Sequence, residues 1–195
     1  VAEIATIARA AGVTFHSDGV QAAARLGVDL RGLGLDLYSI SGHKLYAPKG
    51  IGVLYVRKGT RVEPLLYGGR HERERRAGTE NVAGAVALAR AARWLVENQA
   101  AESARIAVLR DRLEAAVVAQ LPWTRVNCAD STRLPNTSNI FFDGIESEPM
   151  LISLDLEGIA VSSGAACSSG AVEPSHVLLA IGMSKDDARS CLRIS

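Results

Sequence analysis

The chain has 195 residues, 48% apolar and 22% charged, an ordinary globular composition that is neither disordered nor collagen-like. Its 22 basic and 21 acidic residues balance to +1, which gives no reason to expect a nucleic acid or an anionic membrane as partner. No run approaches the roughly 18 uncharged apolar residues of a spanning helix, and the opening VAEIATIARA lacks the basic-then-apolar pattern of a signal peptide.

Residues 2–11 carry Ile4, Ile7, Ala8 and Ala11 at helical spacing, with Gly12 as a natural C-cap. Val13 to Phe15 predicts a short strand that ends where polarity switches at His16-Ser17-Asp18. Val20 to Leu26 predicts a short helix closed by Gly27. Asp36 to Ile40 predicts a second strand, ending in Ser41-Gly42-His43-Lys44, and Ile51 to Val56 a third. Helix, strand, helix, strand, strand is the pattern of an α/β sheet. Residues 57–80 read as a loop. Its RHERERRAGTE segment suits a solvated charged surface, and the length of the loop suits a functional or subunit contact as well.

Residues 81–119 predict a long helix with Asn81 as N-cap and a bend at Asn98-Gln99. Arg125–Cys128 and Ser138–Phe142 follow as strands, Pro149–Leu156 as a helix and Ile159–Val161 as a short strand. Pro174 opens a further helix that ends near Gly182. The closing CLRIS reads as a strand. A domain change falls in the long helix, giving domains 1–98 and 99–195. The first residue is not methionine, the chain begins in a predicted helix and it ends in a predicted strand. The sequence is therefore read as an internal fragment.

Four positions attract chemistry. Only four of the 22 basic residues are lysines, and Lys44 sits at the C-terminal end of a predicted strand, where open α/β sheets place ligands. A free lysine amine there can form a Schiff base with an aldehyde cofactor. Ser41 and His43 can hydrogen-bond a phosphate. A surface-turn lysine is the plainer reading of the same residue. Asp18 ends the preceding strand, 26 residues earlier. It can cap a helix or form a turn, or it can pair with the protonated ring nitrogen of pyridoxal phosphate. A strand–helix–strand crossover of that length brings Asp18 and Lys44 side by side.

Cys167 lies in SSGAACSSG, a run of small residues that suits a mobile loop. An exposed thiol there, just before a helix start, can act as a thiolate nucleophile. Cys128 and Cys191 lie in strand-like apolar surroundings and read as structural. Three cysteines with no CxxC spacing speak against a disulfide scaffold or a structural zinc site, and for a reducing compartment, the cytoplasm. Arg193, between Leu192 and Ile194, suits either a substrate carboxylate or a structural salt bridge.

The set of motifs resembles a family. HSDGVQ (16–21), SGHKLYAPKGIGVLYVRKG (41–59), GGRHERERRAGTENV (68–82), LPNTSNI (134–140), VSSGAACSSGAVEPSHVLLAIG (161–182) and ARSCLRIS (188–195) span nearly the whole chain. They are similar to the cysteine desulfurases of the NifS/IscS type, in the aminotransferase class V group of fold-type I pyridoxal phosphate enzymes. The resemblance implies an α/β fold, with part of an aspartate aminotransferase-like large domain followed by a smaller α+β C-terminal domain.

By the same resemblance Lys44 holds pyridoxal 5'-phosphate covalently, and Ser41 and His43 bind its phosphate. Asp18 pairs with the ring nitrogen, Gln21 bonds the phenolic oxygen and Val20 packs on the ring. Thr79 reaches the phosphate of a neighbouring subunit, which implies a homodimer. Arg193 clamps the carboxylate of L-cysteine. Cys167 takes the sulfur as a persulfide and passes it to a scaffold for iron–sulfur assembly or to a relay for tRNA thiolation. No metal and no direct nucleic-acid or membrane contact are implied. A ring-stacking histidine, a further phosphate-binding threonine and an asparagine near the phenolic oxygen would lie in a preceding half. Two alternatives stand beside this reading: a selenocysteine or cysteine-sulfinate lyase, and a truncated, non-catalytic binding module.

Overall fold

The computed structural model describes residues 1–163 and 174–195. It is mixed α/β and divides into two compact units, Val1–Glu102 and Ser103–Ser195. Among the described residues no helix is long and apolar enough to cross a membrane.

In the first unit, helix α1 (Ala2–Ala10) stops at Gly12, whose φ of +68° is open to glycine without a Cβ penalty. Strand β1 (His16–Asp18) pairs in parallel with β2 (Leu37–Ser41), and β2 pairs antiparallel with β3 (Gly52–Val56). The parallel register sets Asp18 opposite Ser39, and the antiparallel register sets Ser41 opposite Gly52. β1 begins three residues later than the sequence suggests. Phe15 instead donates its N–H to Asp36 Oδ2 (2.9 Å), a side-chain bond that precedes the ladder.

The crossover from β1 to β2 contains no helix at 20–26. Two single turns form there, Ala23 N–H to Gly19 O and Leu26 N–H to Ala22 O, both at 2.9 Å. Arg25 N–H also bonds to Ala22 O at 2.9 Å, so the segment closes as separate turns and builds no continuous helical ladder. The turns still bury Ala24, which packs with Leu45, Leu88 and Leu95.

Helix α2 (Val82–Gln120) opens on Asn81, whose Oδ1 accepts the Gly84 N–H at 2.9 Å. The helix runs through the expected bend at residues 98–99. Both amides there find partners that leave the backbone ladder intact. Asn98 Nδ2 donates to Trp94 O (2.8 Å) and Gln99 Nε2 to Leu26 O (2.5 Å). The division between the two units falls inside α2, at residues 102–103.

The second unit holds an antiparallel sheet in the order β4 (Thr124–Val126), β5 (Ser138–Phe142), β6 (Cys191–Ile194). Alternation along β5 sends Ile140 and Phe142 into one cluster with Leu192, and Phe141 into another with Leu178, Ala188 and Cys191. Helices α3 (Ser147–Leu156), α4 (His176–Ala180) and α5 (Lys185–Arg189) complete it. α5 has no counterpart in the sequence reading. Its start is marked by Ser184, whose Oγ accepts the Asp187 N–H at 3.0 Å.

The strand expected at 159–161 does not form; Ser162 alone bridges to Arg193. Cys191 is buried, as its apolar neighbours suggest, but Cys128 is exposed in a turn at φ +56°. A buried ion pair ties the loop before β5 to α2. Arg133 donates to both carboxylate oxygens of Glu114 (2.7 and 3.0 Å), and Arg110 donates to Leu134 O (2.9 Å).

Candidate active site

Because β1 and β2 run parallel, their C-terminal ends share one edge of the first sheet, and that edge carries Asp18 and Ser41. Asp18 is exposed. Its Oδ1 accepts the Val20 N–H at 2.8 Å, while Gly19 N–H continues toward Ser39 O at 3.0 Å. Among the described residues Asp18 Oδ2 accepts no hydrogen bond, so it faces solvent as an acceptor. Val20 is half-buried and Gln21 exposed in the turn that follows.

The second strand end turns sharply through a 3₁₀ segment, Gly42–Leu45. Gly42 is needed there. A β-carbon would come within 2.7 Å of both Ile51 O and Ile51 Cγ2. Two backbone bonds lock the turn, Gly42 N–H to Ile51 O (2.9 Å) and Ala47 N–H to Gly42 O (3.0 Å). Leu45 anchors in the core, and Tyr46 leaves in the left-handed region at φ 65°. Arg25 holds the Tyr46 hydroxyl (2.8 Å), and the Trp94 ring meets the Tyr46 ring edge-on at 5.9 Å.

Within this frame Ser41 Oγ and His43 Nδ1 share a hydrogen bond of 2.8 Å. Lys44 is half-buried and makes no hydrogen bond or ion pair among the described residues. The edge thus joins a lysine amine, a carboxylate with one open oxygen and a hydroxyl–imidazole pair. Those groups suit a ligand that carries a carbonyl, a basic ring nitrogen and a phosphate.

Sequence reasoning passes over two further groups. His16 Nε2 and Ser39 Oγ share a hydrogen bond of 2.8 Å on the strand pair just behind Asp18. The signal is the two-residue alternation of strands, which puts His16 with Asp18 and Ser39 with Ser41. Tyr38 is 4% exposed, and its phenol pKa is pushed up by burial first and by the Asp18 charge second.

The other expected site residues lie elsewhere. Thr79 is exposed in the loop between β3 and α2, and no hydrogen bond among the described residues ties it to the Asp18–Ser41 edge. In that loop Glu72, Arg73 and Glu74 take left-handed φ values of 49°, 58° and 66°. Arg193 belongs to the second unit, in β6 opposite Asn139, and is half-buried. Cys167 lies outside the described residues.

The whole chain, residues 1–195, matches the family described as Aminotransferase class-V. It is 46% identical over 195 residues to cysteine desulfurase NifS of Azotobacter vinelandii, covering 100% of this chain and 48% of that one. It is 41% identical over 197 residues to cysteine desulfurase IscS of Clostridium botulinum, covering 50% of that protein. Among solved structures, a NifS-like protein from Rickettsia africae superposes with a TM-score of 0.89 at 33% identity. That match covers 100% of this chain and 51% of the other. The chain thus spans about half the length of the curated relatives it matches. With both units matched from end to end, the chain belongs to the aminotransferase class-V family.

Proposed function

We propose that this chain is part of a cysteine desulfurase that binds pyridoxal 5'-phosphate at the Asp18–Lys44 edge. The observation that carries the reading is the parallel register of β1 and β2, which sets the Asp18 and Ser41–Lys44 segments at one sheet edge. The end-to-end similarity to proteins named cysteine desulfurase supports it.

The cofactor supplies an electron-accepting ring that makes bonds at the substrate's α- and β-carbons labile. The residues around it do the rest. Lys44 holds the cofactor covalently and afterwards carries a proton between substrate carbons through its amine. Asp18 Oδ2 pairs with the ring nitrogen, with Oδ1 held still by the Val20 N–H. Ser41 and His43 hold the phosphate, already aligned by their mutual bond. Val20 packs on the ring, and Gln21 bonds its phenolic oxygen. Thr79 serves the phosphate of a neighbouring subunit in a homodimer.

Arg193 clamps the carboxylate of L-cysteine with its planar fork. Cys167, as thiolate, forms an S–S bond to the substrate sulfur while the C–S bond breaks. The electron pair stays with the substrate carbon, which takes a proton. L-cysteine and one thiol become L-alanine and one persulfide. The persulfide then passes to an acceptor protein for iron–sulfur assembly or tRNA thiolation. The reducing cytoplasm suits a thiol that must stay free between turnovers.

The test is borohydride fixation on the complete protein with pyridoxal phosphate, followed by peptide mass mapping, beside Lys44→Ala. A reduced adduct on Lys44 that the variant lacks, together with alanine formed from L-cysteine, is the expected result. An adduct elsewhere, or none, overturns the assignment of the edge.

A further inference from the structure

Four polar residues stand side by side across the second sheet. Asn127, the first residue past β4, donates its backbone N–H to Asn139 O on β5 at 2.8 Å. Asn139 is paired with Arg193 on β6, and Arg193 with Ser162 beyond it. Directly opposed residues of antiparallel strands share a face, so Asn127, Asn139, Arg193 and Ser162 form one row. Arg193 directs its backbone N–H and C=O to Ser162, at 2.6 and 3.0 Å, and Asn139 directs its carbonyl to Asn127. Asn139 and Arg193 are therefore a non-hydrogen-bonded pair, the kind whose Cα atoms approach to about 4.5 Å and whose side chains lie closest.

A relay of hydrogen bonds fixes the orientation of the Asn139 amide. The Cys191 thiol gives its proton to Asp187 O (3.3 Å), so its sulfur can only accept from other groups. Asn127 Nδ2 donates to that sulfur (3.3 Å) and also to Asn139 Oδ1 (2.6 Å). With Oδ1 drawn to the β4 side, Asn139 Nδ2 is turned away from β4 and toward β6, where Arg193 stands. Among the described residues Asn139 Nδ2 donates no hydrogen bond. Asn127 is 9% exposed, so the amide that does the orienting is itself shielded from water. An amide donor turned toward a guanidinium, which also only donates, is unfavourable unless an acceptor lies between them. None of the four residues in the row is acidic. The two donor groups together match an anion with two acceptor oxygens.

We propose that Asn139 is a second substrate-binding residue. Arg193 and Asn139 Nδ2 hold the two oxygens of the amino-acid carboxylate between them, and Asn127 is the positioning residue that sets the Asn139 amide. The inference rests on the proposed role of Arg193 and deepens it.

Asn139→Asp keeps the shape and the acceptor that Asn127 needs, and puts a carboxylate oxygen where the N–H donor was. The experiment measures dissociation constants by calorimetry on the complete protein loaded with pyridoxal phosphate. The probes are L-alanine, which carries the carboxylate, and L-alaninamide, which has nearly the same shape without that charge. Loss of a hydrogen bond to a charged group weakens binding about tenfold or more, and that loss is expected for L-alanine. L-alaninamide, whose amide can donate to the new carboxylate, is expected to hold its affinity. Asn139→Ala removes the donor without adding a charge, and should weaken L-alanine about tenfold and L-alaninamide less. Equal weakening of both probes in both variants means a packing role and overturns the proposal, as does no change in either probe. If the unaltered protein does not prefer L-alanine to L-alaninamide, or Arg193→Ala leaves that preference intact, the reading of Arg193 fails first, and this inference falls with it.

Discussion

The backbones of Ser162 and Arg193 bond in both directions, Arg193 N–H to Ser162 O at 2.6 Å and Ser162 N–H to Arg193 O at 3.0 Å. Ser162 precedes Cys167 by five residues in the chain. The bridge therefore anchors the approach to the proposed nucleophile on the strand that carries the proposed substrate clamp. Arg193→Ala removes a charge-assisted fork whose loss is worth about 1.5–3 kcal/mol, so KM for L-cysteine is expected to rise roughly 10- to 100-fold. Steady-state kinetics should show the change chiefly in KM. A change confined to kcat would show that Arg193 does not bind the ground-state substrate.

Cys167 separates the desulfurase reading from the lyase alternative. Cys167→Ala is expected to abolish alanine formation from L-cysteine while leaving selenium release from L-selenocysteine in place. Thiol chemistry needs a protein sulfur to accept the substrate sulfur, and selenium release does not. Alanine formation from L-cysteine that survives the substitution would remove Cys167 from the mechanism.

The turn that presents Lys44 tolerates no side chain at position 42, where a β-carbon would press on Ile51 O at 2.7 Å. Gly42→Ala is expected to destabilise the fold by about 1–3 kcal/mol, the usual cost of overpacking. Chemical denaturation reads the loss. A stability equal to that of the parent would mean the turn has room the geometry does not show.

The Glu114–Arg133 pair gives the second unit an acid sensitivity. Burial alone pushes the Glu114 carboxyl up. The hydrogen bonds and charge of Arg133, with the charge of Arg110, outweigh it and bring the carboxyl below its ordinary value. The contribution is present above the unfolded-state value and fades as pH falls through the lower folded-state value. Glu114→Gln is expected to flatten this part of the acid-denaturation profile. Arg133→Ala strands a buried carboxylate and should cost about 3–5 kcal/mol at neutral pH.

The two described cysteines should differ sharply toward iodoacetamide. Cys128 is exposed, while Cys191 is buried, and burial raises its thiol pKa. Asn127 Nδ2 donates to the Cys191 sulfur (3.3 Å), which in turn donates to Asp187 O (3.3 Å). Mass mapping of a timed reaction should find Cys128 modified early and Cys191 only on unfolding. Equal rates would contradict the buried placement of Cys191.

Much of the fold was legible in local pattern. Ser138–Phe142 forms a strand over the expected residues, a short segment whose apolar run Ile140-Phe141-Phe142 is buried on both faces. Asn81 caps the long helix as its side chain suggests. The misses come from contacts distant in sequence. The helix expected at 20–26 yields to turns that hand Ala24 to the core, and Gln99, expected at a bend, reaches back to Leu26 instead. At the candidate site, strand ends and residue types pointed to Asp18 and Lys44. Tyr38 and the His16–Ser39 pair needed the register, since only pairing shows which strand positions share a face.

Asp36 gives that edge a quiet counterpart. Its carboxylate takes the Phe15 N–H, where β1 is about to begin, and pairs with Arg57, where β3 has just ended; its carbonyl accepts the Arg57 N–H. All three contacts sit at the end of the sheet away from Asp18 and Ser41. Alignment of the strands is thus settled at one rim and ligand chemistry at the other. Substitutions at the ligand rim can alter what is bound without letting the strands slip. A substitution at Asp36 would instead remove the side-chain contacts with Phe15 and Arg57 that help hold the register every ligand-rim residue shares.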